Sequence, residues 1–320
     1  MRAIIITETG GPEVLVAGER PDPEPGPGEV LIDVAAAGVN FIDVYFRTGA
    51  YPQALPYTPG MEAAGTVAAA GDGVTEFAVG DRVAWSGVQG GYADRAVVPA
   101  DKVVPVPGGV GLEDAAASLL QGMTAHYLTR STYPVQAGDT VLVHAAAGGM
   151  GLLLTQAAKA LGARVVGTAS TPEKEQLAKD AGADVTMGYD GFPERVRELT
   201  GGEGVAAVYD GVGAPTFDGS LASLRRRGVL ALYGAAGGKV PPFDPQRLNA
   251  AGSVYLTRPS LTHFTEVREE LLERAAAVYG WVESGAVRVH VGHRHDLAEA
   301  GTAHADLEAR RTTGKLLLIP

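Results

Sequence analysis

The chain has 320 residues, of which 46% are hydrophobic and 20% charged, and a length of this order suits two globular domains, each with its own core. A formal net charge of -11 argues against nucleic acid or an anionic membrane as a partner, because both demand a basic face. The absence of cysteine removes disulfides, thiolate nucleophiles and Cys-ligated zinc together.

The sequence opens directly on a strand-like run, Arg2-Ala3-Ile4-Ile5-Ile6. No basic leader precedes it, and no apolar stretch reaches the roughly 18 residues of a membrane span, so a cytoplasmic location is expected. From residue 1 to about 120, short valine-containing runs alternate with Gly, Pro and Asp. Val30-Leu31-Ile32-Asp33-Val34, Gly65-Thr66-Val67-Ala68, Gly80-Asp81-Arg82-Val83-Ala84 and Ala96-Val97-Val98 predict an all-β region, with Pro21 to Gly28 as an extended connection inside it.

From about residue 125 the pattern changes to strands alternating with helices. Apolar strands are predicted at 140–145, 164–168, 184–187, 205–210, 228–233 and 253–257, and helices at Leu152 to Leu161, Pro172 to Ala181, Phe192 to Leu199 and Pro215 to Leu224. Such alternation predicts a doubly wound parallel sheet of the Rossmann type. After Pro259 a helical pattern runs from Thr262 to Ser284 and leads into strand-like Val287-Arg288-Val289-His290. The closing strand, Lys315 to Ile319, is expected to return to the first domain. The fold class is therefore α/β with a second, β-rich domain. The β-rich domain is discontinuous, residues 1–124 and 260–320, and the sheet domain takes 125–259.

The most informative segment lies after the first parallel strand, where His144 to Gly151 reads HAAAGGMG before a run of helix formers. In GxGxxG terms Ala146-Ala147-Gly148-Gly149-Met150-Gly151 keeps the second and third glycines and puts alanine first. Gly148 lets a backbone approach a pyrophosphate at a helix N-terminus, where free N–H groups and the dipole favour anions, and Gly151 lets the helix pack closely on the strand. Where an NAD-binding chain ends its next strand on an acid facing the ribose 2′-hydroxyl, this chain reads Ala169-Ser170-Thr171-Pro172-Glu173-Lys174. A carboxylate would repel a 2′-phosphate, whereas hydroxyls and an ammonium can hold one, so Ser170 and Lys174 point to NADPH over NADH. His290, His293 and His295 cluster within six residues, but without cysteine or a nearby acid other than Asp296 they read as a surface turn rather than a metal site. The charges from Glu266 to Arg274 read as a solvated helix face.

Taken jointly, several segments resemble the quinone oxidoreductase (zeta-crystallin-like) branch of the zinc-free medium-chain dehydrogenase/reductase superfamily. They are Gly38-Val39-Asn40-Phe41-Ile42-Asp43, Gly60-Met61-Glu62-Ala63-Ala64-Gly65, Gly80-Asp81-Arg82-Val83, the HAAAGGMG loop, Tyr209-Asp210-Gly211-Val212-Gly213, Thr257-Arg258-Pro259-Ser260-Leu261 and Gly314-Lys315. The resemblance covers essentially the whole chain. It implies a GroES-like β domain, a Rossmann domain, an active-site cleft between them, hydride transfer without a metal, and a homodimer paired through a Rossmann edge strand near Val254-Tyr255-Leu256.

Residue by residue, the resemblance puts Asn40, Tyr45, Tyr51, Gln121 and Thr124 on the nicotinamide side as catalytic candidates, with Asn40 and Thr124 also touching the cofactor. Relatives often carry lysine where Gln121 stands. Ala147, Gly148, Gly149, Met150 and Gly151 of the loop, with Ser170, Lys174 and Tyr189, are the phosphate and adenosine candidates. Gly234 and Ala235 would pass beneath the nicotinamide, and Arg310 would cross back towards the cofactor. The implied activity is hydride delivery from NADPH to a quinone or similar conjugated carbonyl. Two alternatives stay open: an enoyl-thioester or enone reductase with Tyr51 as proton donor, and an NADPH-binding structural or regulatory protein with little turnover.

Overall fold

Valine-rich runs bounded by turn residues pair readily, and in the computed structural model, which describes Met1 to Pro320, they build the sheets of the first of two units. This unit comprises Met1–Met123 and Thr265–Pro320, and the other Thr124–Phe264. In chain order the elements before residue 130 are β1 (Arg2–Ile5), β2 (Val16–Glu19), β3 (Glu29–Val39), α1 (Phe41–Arg47), β4 (Glu62–Ala70), β5 (Arg82–Ser86), β6 (Arg95–Pro99), β7 (Val103–Pro105) and α2 (Leu112–Tyr127). Then come β8 (Thr140–Val143), α3 (Gly149–Ala160), β9 (Arg164–Thr168), α4 (Pro172–Asp180), β10 (Val185–Met187), α5 (Phe192–Leu199), β11 (Val205–Asp210), α6 (Phe217–Ser223), β12 (Leu224–Leu232), α7 (Gln246–Ala250) and β13 (Tyr255–Thr257). The chain closes with α8 (Arg268–Glu283), β14 (Val291–Asp296), α9 (Ala300–Glu308) and β15 (Lys315–Ile319).

The main sheet of the first unit has the order β14-β15-β3-β4-β5-β7, with β6 also on β3, and only β14 and β15 run parallel. Its buried side includes Ile32, Val67, Trp85, Leu316 and Leu318, which pack with Ile4 of the separate β1-β2 pair, so the last strand contributes to the same core as the first hundred residues. Burial of each such large side chain is worth about 1.5–3 kcal/mol relative to exposure. Register matters for function here. Leu317 lies opposite Gly38, and Ala37 opposite Ala63, which brings Lys315, the end of β3 and Glu62 to neighbouring places on adjacent strands.

In the second unit six parallel strands take the order β10-β9-β8-β11-β12-β13. This is the doubly wound sequence in which direction of travel reverses between β8 and β11, the place where such sheets bind ligands at the carboxyl ends of their strands. Leu142, Val166, Val208 and Leu230 from four strands pack with Phe192 and Phe217 of the flanking helices. The sheet ends on β13, whose Tyr255 is 61% exposed. No helix is long and apolar enough to cross a membrane.

Four sequence expectations change. The region to residue 120 is not all β: α1 begins where the Asp43 carboxylate caps the Asn40 N–H, and α2 begins with Glu113 and Asp114 in its first turn. The helix expected from Thr262 is a short 3-10 turn, Leu261–Phe264, followed by α8. Phe264 stacks on Tyr127 with ring centroids 4.2 Å apart, which holds that turn within the second unit. The strand expected at Val287 to His290 lies instead at Val291–Asp296, where pairing with the apolar β15 overrides a polar sequence. His293 and His295 consequently sit on a strand rather than in a surface turn, their ring centroids 4.3 Å apart.

A Cβ added at Gly65 would fall on the backbone carbonyl of Asp33 in the paired strand. Gly65→Ala is therefore expected to lower stability by about 1–3 kcal/mol or more, since a backbone atom cannot move aside as a side chain can. Thermal unfolding followed by circular dichroism checks it, and an unchanged midpoint would contradict the β3–β4 register.

Candidate functional site

Strand β8 ends in a fully buried apolar run, and the chain then turns sharply. Ala145 adopts the left-handed region (φ 51), and Ala146 N–H donates to the Thr168 carbonyl at 2.9 Å, fixing the loop to the end of β9. Gly148 is the extended N-cap of α3, and no side chain caps that helix. The first N–H groups of a helix have no partner within it, so an uncapped start suits an anion. A Cβ at Gly151 would strike the Ala145 carbonyl and lie 2.7 Å from Ala146 Cα, so only glycine allows α3 to sit this close to the turn. Ala147 is buried, whereas Gly148, Gly149 and Met150 are partly exposed.

Around this loop the strand ends are tied by a residue that sequence reasoning left without a role. His144 is fully buried, with Nδ1 2.8 Å from Thr168 Oγ1 and Nε2 2.9 Å from Ser220 Oγ. Ser220 donates its one proton to Asp210 Oδ2, so His144 Nε2–H must donate to Ser220, and Nδ1 accepts from Thr168. Burial pushes the imidazole down to about 4, which keeps it neutral. Asp210 also accepts from Thr216 and from the N–H groups of Val212 and Gly213. Tyr189 stacks near His144, with centroids 6.1 Å apart and an interplanar angle of 18°.

Ser170 is exposed after β9, and Thr171 Oγ1 accepts from Lys174 N–H to start α4. The nearby acid is Glu173, held below the usual carboxylate range by its own backbone N–H and the Thr171 hydroxyl. Gly234 packs so closely on Gly211 that a Cβ would lie 2.7 Å from the Gly211 carbonyl, and Ala235 follows in the same loop.

In the first unit the sheet register assembles a buried polar cluster. Asn40 Nδ2 donates to Glu62 Oε2 (2.9 Å) and to the Gly38 carbonyl (3.2 Å). Its Oδ1 accepts from Lys315 Nζ (2.7 Å) and Gln121 Nε2 (3.3 Å), leaving the amide with no unused donor or acceptor. Lys315 Nζ also lies 2.6 Å from Glu62 Oε2, and the two side chains are 2% and 0% exposed. Gly38 must be glycine, because a Cβ there would press on Glu62 and lie 2.7 Å from Lys315 Cε.

A second run continues from Asp43. Arg47 forms a bidentate pair with Glu308 at 2.8 and 2.9 Å and donates to His304 Nδ1. The His304 Nε2–H therefore donates to Tyr92, and Tyr92 donates to Asp43 Oδ2. Burial, and secondarily the Arg47 charge, drive His304 down to about 3, while burial raises Asp43 to about 6.

Tyr45 and Tyr51 come together, their centroids 5.3 Å apart, with Phe41 and Phe46 beside them on α1. Thr124 is buried on α2. Arg310 takes a left-handed turn (φ 56) after α9, and the neighbouring Arg311 is tied to Asp306 through Nε at 2.9 Å. The roles of Glu62, Lys315, Asp43 and His304 were missed, although a charge inside Lys315-Leu316-Leu317-Leu318 and an acid inside Gly60-Met61-Glu62-Ala63 were readable signs of buried pairing.

No group of three or more His, Cys, Asp or Glu stands where it could hold a metal ion. Two family models match the chain, the alcohol dehydrogenase GroES-like domain over residues 26–108 and the zinc-binding dehydrogenase over residues 149–277. A quinone oxidoreductase of Pseudomonas aeruginosa is 45% identical over 315 residues, which is 97% of each chain. A mycobacterial protein solved in complex with NADPH matches with a TM-score of 0.97 at 58% identity over the full length of both chains. Escherichia coli quinone oxidoreductase complexed with NADPH matches with a TM-score of 0.98 at 42% identity, again over 100% of both. Fold and site thus define a two-unit medium-chain dehydrogenase/reductase. Within that superfamily, the chain belongs to the quinone oxidoreductase family.

The buried histidines set an acid limit. His144 and His304 stay neutral in the fold while an unfolded imidazole charges below about 6.5, so their contribution is present above that value and lost as pH falls towards about 4 and about 3. Asp43 has the opposite sign, because its raised value favours the fold below about 6. Two imidazoles outweigh one carboxyl, and the thermal midpoint is expected to fall between about pH 7 and about pH 5. A midpoint that holds or rises over that range would overturn the assignment.

Proposed function

We propose that the chain is an NADPH-dependent quinone oxidoreductase, with the second unit as its cofactor-binding domain and the first as its catalytic domain. The observation that carries the cofactor reading is the pair of strand ends in the second unit. After β8 the chain forms an uncapped helix start with glycine at the points of closest approach, and after β9 it offers Ser170 directly after the strand, with Lys174 beside Glu173 in the first turn of α4. A 2′-phosphate finds hydroxyl and ammonium donors there. The P. aeruginosa relative, named a quinone oxidoreductase and aligned over nearly the whole chain, supports the substrate class.

Bound NADPH supplies the hydride. The residues supply position: Gly148, Gly149, Met150 and Gly151, with Ala147 behind them, hold the pyrophosphate at the start of α3, and Ser170, Lys174 and Tyr189 hold the adenosine end. Gly234 packs on Gly211 without a side chain and Ala235 adds only a methyl, which leaves room for the nicotinamide, and Arg310 adds a cationic contact. Tyr45 and Tyr51, with their aromatic neighbours, offer flat faces of the kind that stack on a conjugated ring. Asn40, Gln121 and Thr124 complete the nicotinamide side.

Holding reacting atoms about 3–3.5 Å apart supplies much of the acceleration in such a transfer. The oxygens of a reduced quinone take protons from water, so no side chain has to act as acid. An enone does require a positioned acid, and Tyr51 is the candidate. We further propose a homodimer formed through β13, an exposed edge strand with open ladder positions.

Steady-state NADPH oxidation with quinones and enones tests the activity. Turnover of quinones is expected, with Tyr51→Phe within a few fold of the parent, whereas tight NADPH binding without any turnover would point to a structural or regulatory protein. Lys174→Ala is expected to narrow the NADPH-over-NADH preference by about tenfold, the loss of one charge-assisted hydrogen bond. Equal dissociation constants for the two cofactors in the parent would refute the 2′-phosphate reading.

A further inference from the structure

The amino ends of the parallel strands lie at the edge of the second unit's sheet opposite to the glycine turn, which follows the carboxyl end of β8. A cavity of about 690 Å³ opens there between the loop leading into β11, the start of β12 and Ala251 at the end of α7. Four guanidiniums line it, those of Arg197, Arg225, Arg226 and Arg227, against the single carboxylate of Glu203. Such a concentration of cations runs against the net charge of -11 carried by the whole chain.

Two of the four arginines are spent within the protein. Arg197 donates to the carbonyls of Ala222, Gly202, Glu203 and Leu224, which fixes the walls but leaves its charge unneutralised. Arg225 pairs with Asp139 at 3.3 Å and donates to the Tyr133 hydroxyl. Arg226 and Arg227 are exposed, and their side chains make neither a hydrogen bond nor an ion pair. The backbone is bent to present them. β11 advances from Val205 to Ala207 while β12 advances from Leu224 to Val229, so the three consecutive arginines fall in a bulge that the ladder skips. Bulges re-aim side chains. Arg227 also adopts the left-handed region (φ 58), its N–H donating to the Gly252 carbonyl at 2.9 Å. Glycine or asparagine enters that region more easily, so an arginine held there is kept for its side chain.

We propose that this cavity binds an anion carrying two or more phosphate groups, with Arg226 and Arg227 contacting it and Arg197 supplying fixed positive charge beside them. A guanidinium presents a planar fork of donors that matches phosphate oxygens two at a time. The cavity has the size that takes a whole small ligand, about 300–1,000 Å³, rather than a lone ion. No aromatic ring lines it to stack a base, and Leu224 and Ala251 are its main apolar walls, so recognition falls to the phosphates. A free inorganic polyphosphate and the phosphate tail of a nucleotide share that chemistry.

Titration calorimetry at about 0.15 M salt, with the protein saturated in NADPH so that the turn after β8 is filled, tests the site with tripolyphosphate, ATP, inorganic phosphate and sulfate. Tripolyphosphate is expected to bind at least about tenfold tighter than phosphate or sulfate, and Arg226→Gln and Arg227→Asn are each expected to weaken it about tenfold. The NADPH dissociation constant should stay unchanged in both variants. Arg227→Asn should also keep or raise the thermal midpoint without anion, because asparagine tolerates the left-handed region. A structural arginine would instead lower the midpoint and leave the tripolyphosphate constant where it was. Tripolyphosphate binding with ATP excluded marks the free polyphosphate, and equal binding of both marks a site that accepts either source. ATP tenfold tighter than tripolyphosphate would overturn recognition by phosphate alone. A parent that binds tripolyphosphate no better than sulfate, or variants that bind it as well as the parent, would overturn the site itself. None of these readouts depends on quinone turnover.

Discussion

Lys315 and Glu62 form an ion pair shut off from solvent, and much of the first unit is organised around it. The two residues lie 253 positions apart in the chain and meet because β15 and β4 flank β3 in one sheet. A buried pair of this kind adds little net stability over an apolar one, yet removing a single partner typically costs about 3–5 kcal/mol, since a bare charge is left inside. The pair therefore acts as a constraint more than a source of energy. It requires the C-terminal strand to be seated and it dictates the orientation of Asn40, while the Ala116 carbonyl, 2.5 Å from where a Cβ would stand, adds to the need for glycine at position 38.

The second unit uses a different device for a similar end. Its parallel strands would fray at their carboxyl ends, where ladder pairing stops, and His144, Thr168, Ser220 and Asp210 tie three of those ends together with neutral and charge-assisted hydrogen bonds. Burial keeps the imidazole uncharged, so it can donate on one side and accept on the other. The glycine loop is thus presented from a rigid base. Each unit thus carries a buried polar network whose protons are fully assigned.

Much of this was legible before any coordinates. The order strand, glycine turn, helix is a local pattern, and so is the missing acid after β9. The apolar strands of the parallel sheet are buried on both faces and read as continuous runs, which is why β8, β9 and β11 were found close to their observed bounds, whereas β12 begins four residues before the expected 228, in the polar run Arg225-Arg226-Arg227. Less legible were α1 and β14. Helix α1 is only seven residues long and begins at a cap whose acid, Asp43, also accepts from Met61 and Tyr92. Strand β14 reads Val-Gly-His-Arg-His-Asp and is a strand only because β15 lies beside it.

The sequence by itself determined the doubly wound sheet and the glycine turn between its β8 and α3, because these depend on periodicity and on residues close together in the chain. Tertiary structure alone decided the hydrogen-bonding sense of the candidate site. Whether Asn40 and Gln121 offer a donor or an acceptor depends on which charged atoms lie across from them, and Lys315 reaches Asn40 only through the register of three strands. An amide side chain carries both functions, and the composition of a chain cannot say which of them faces a given neighbour.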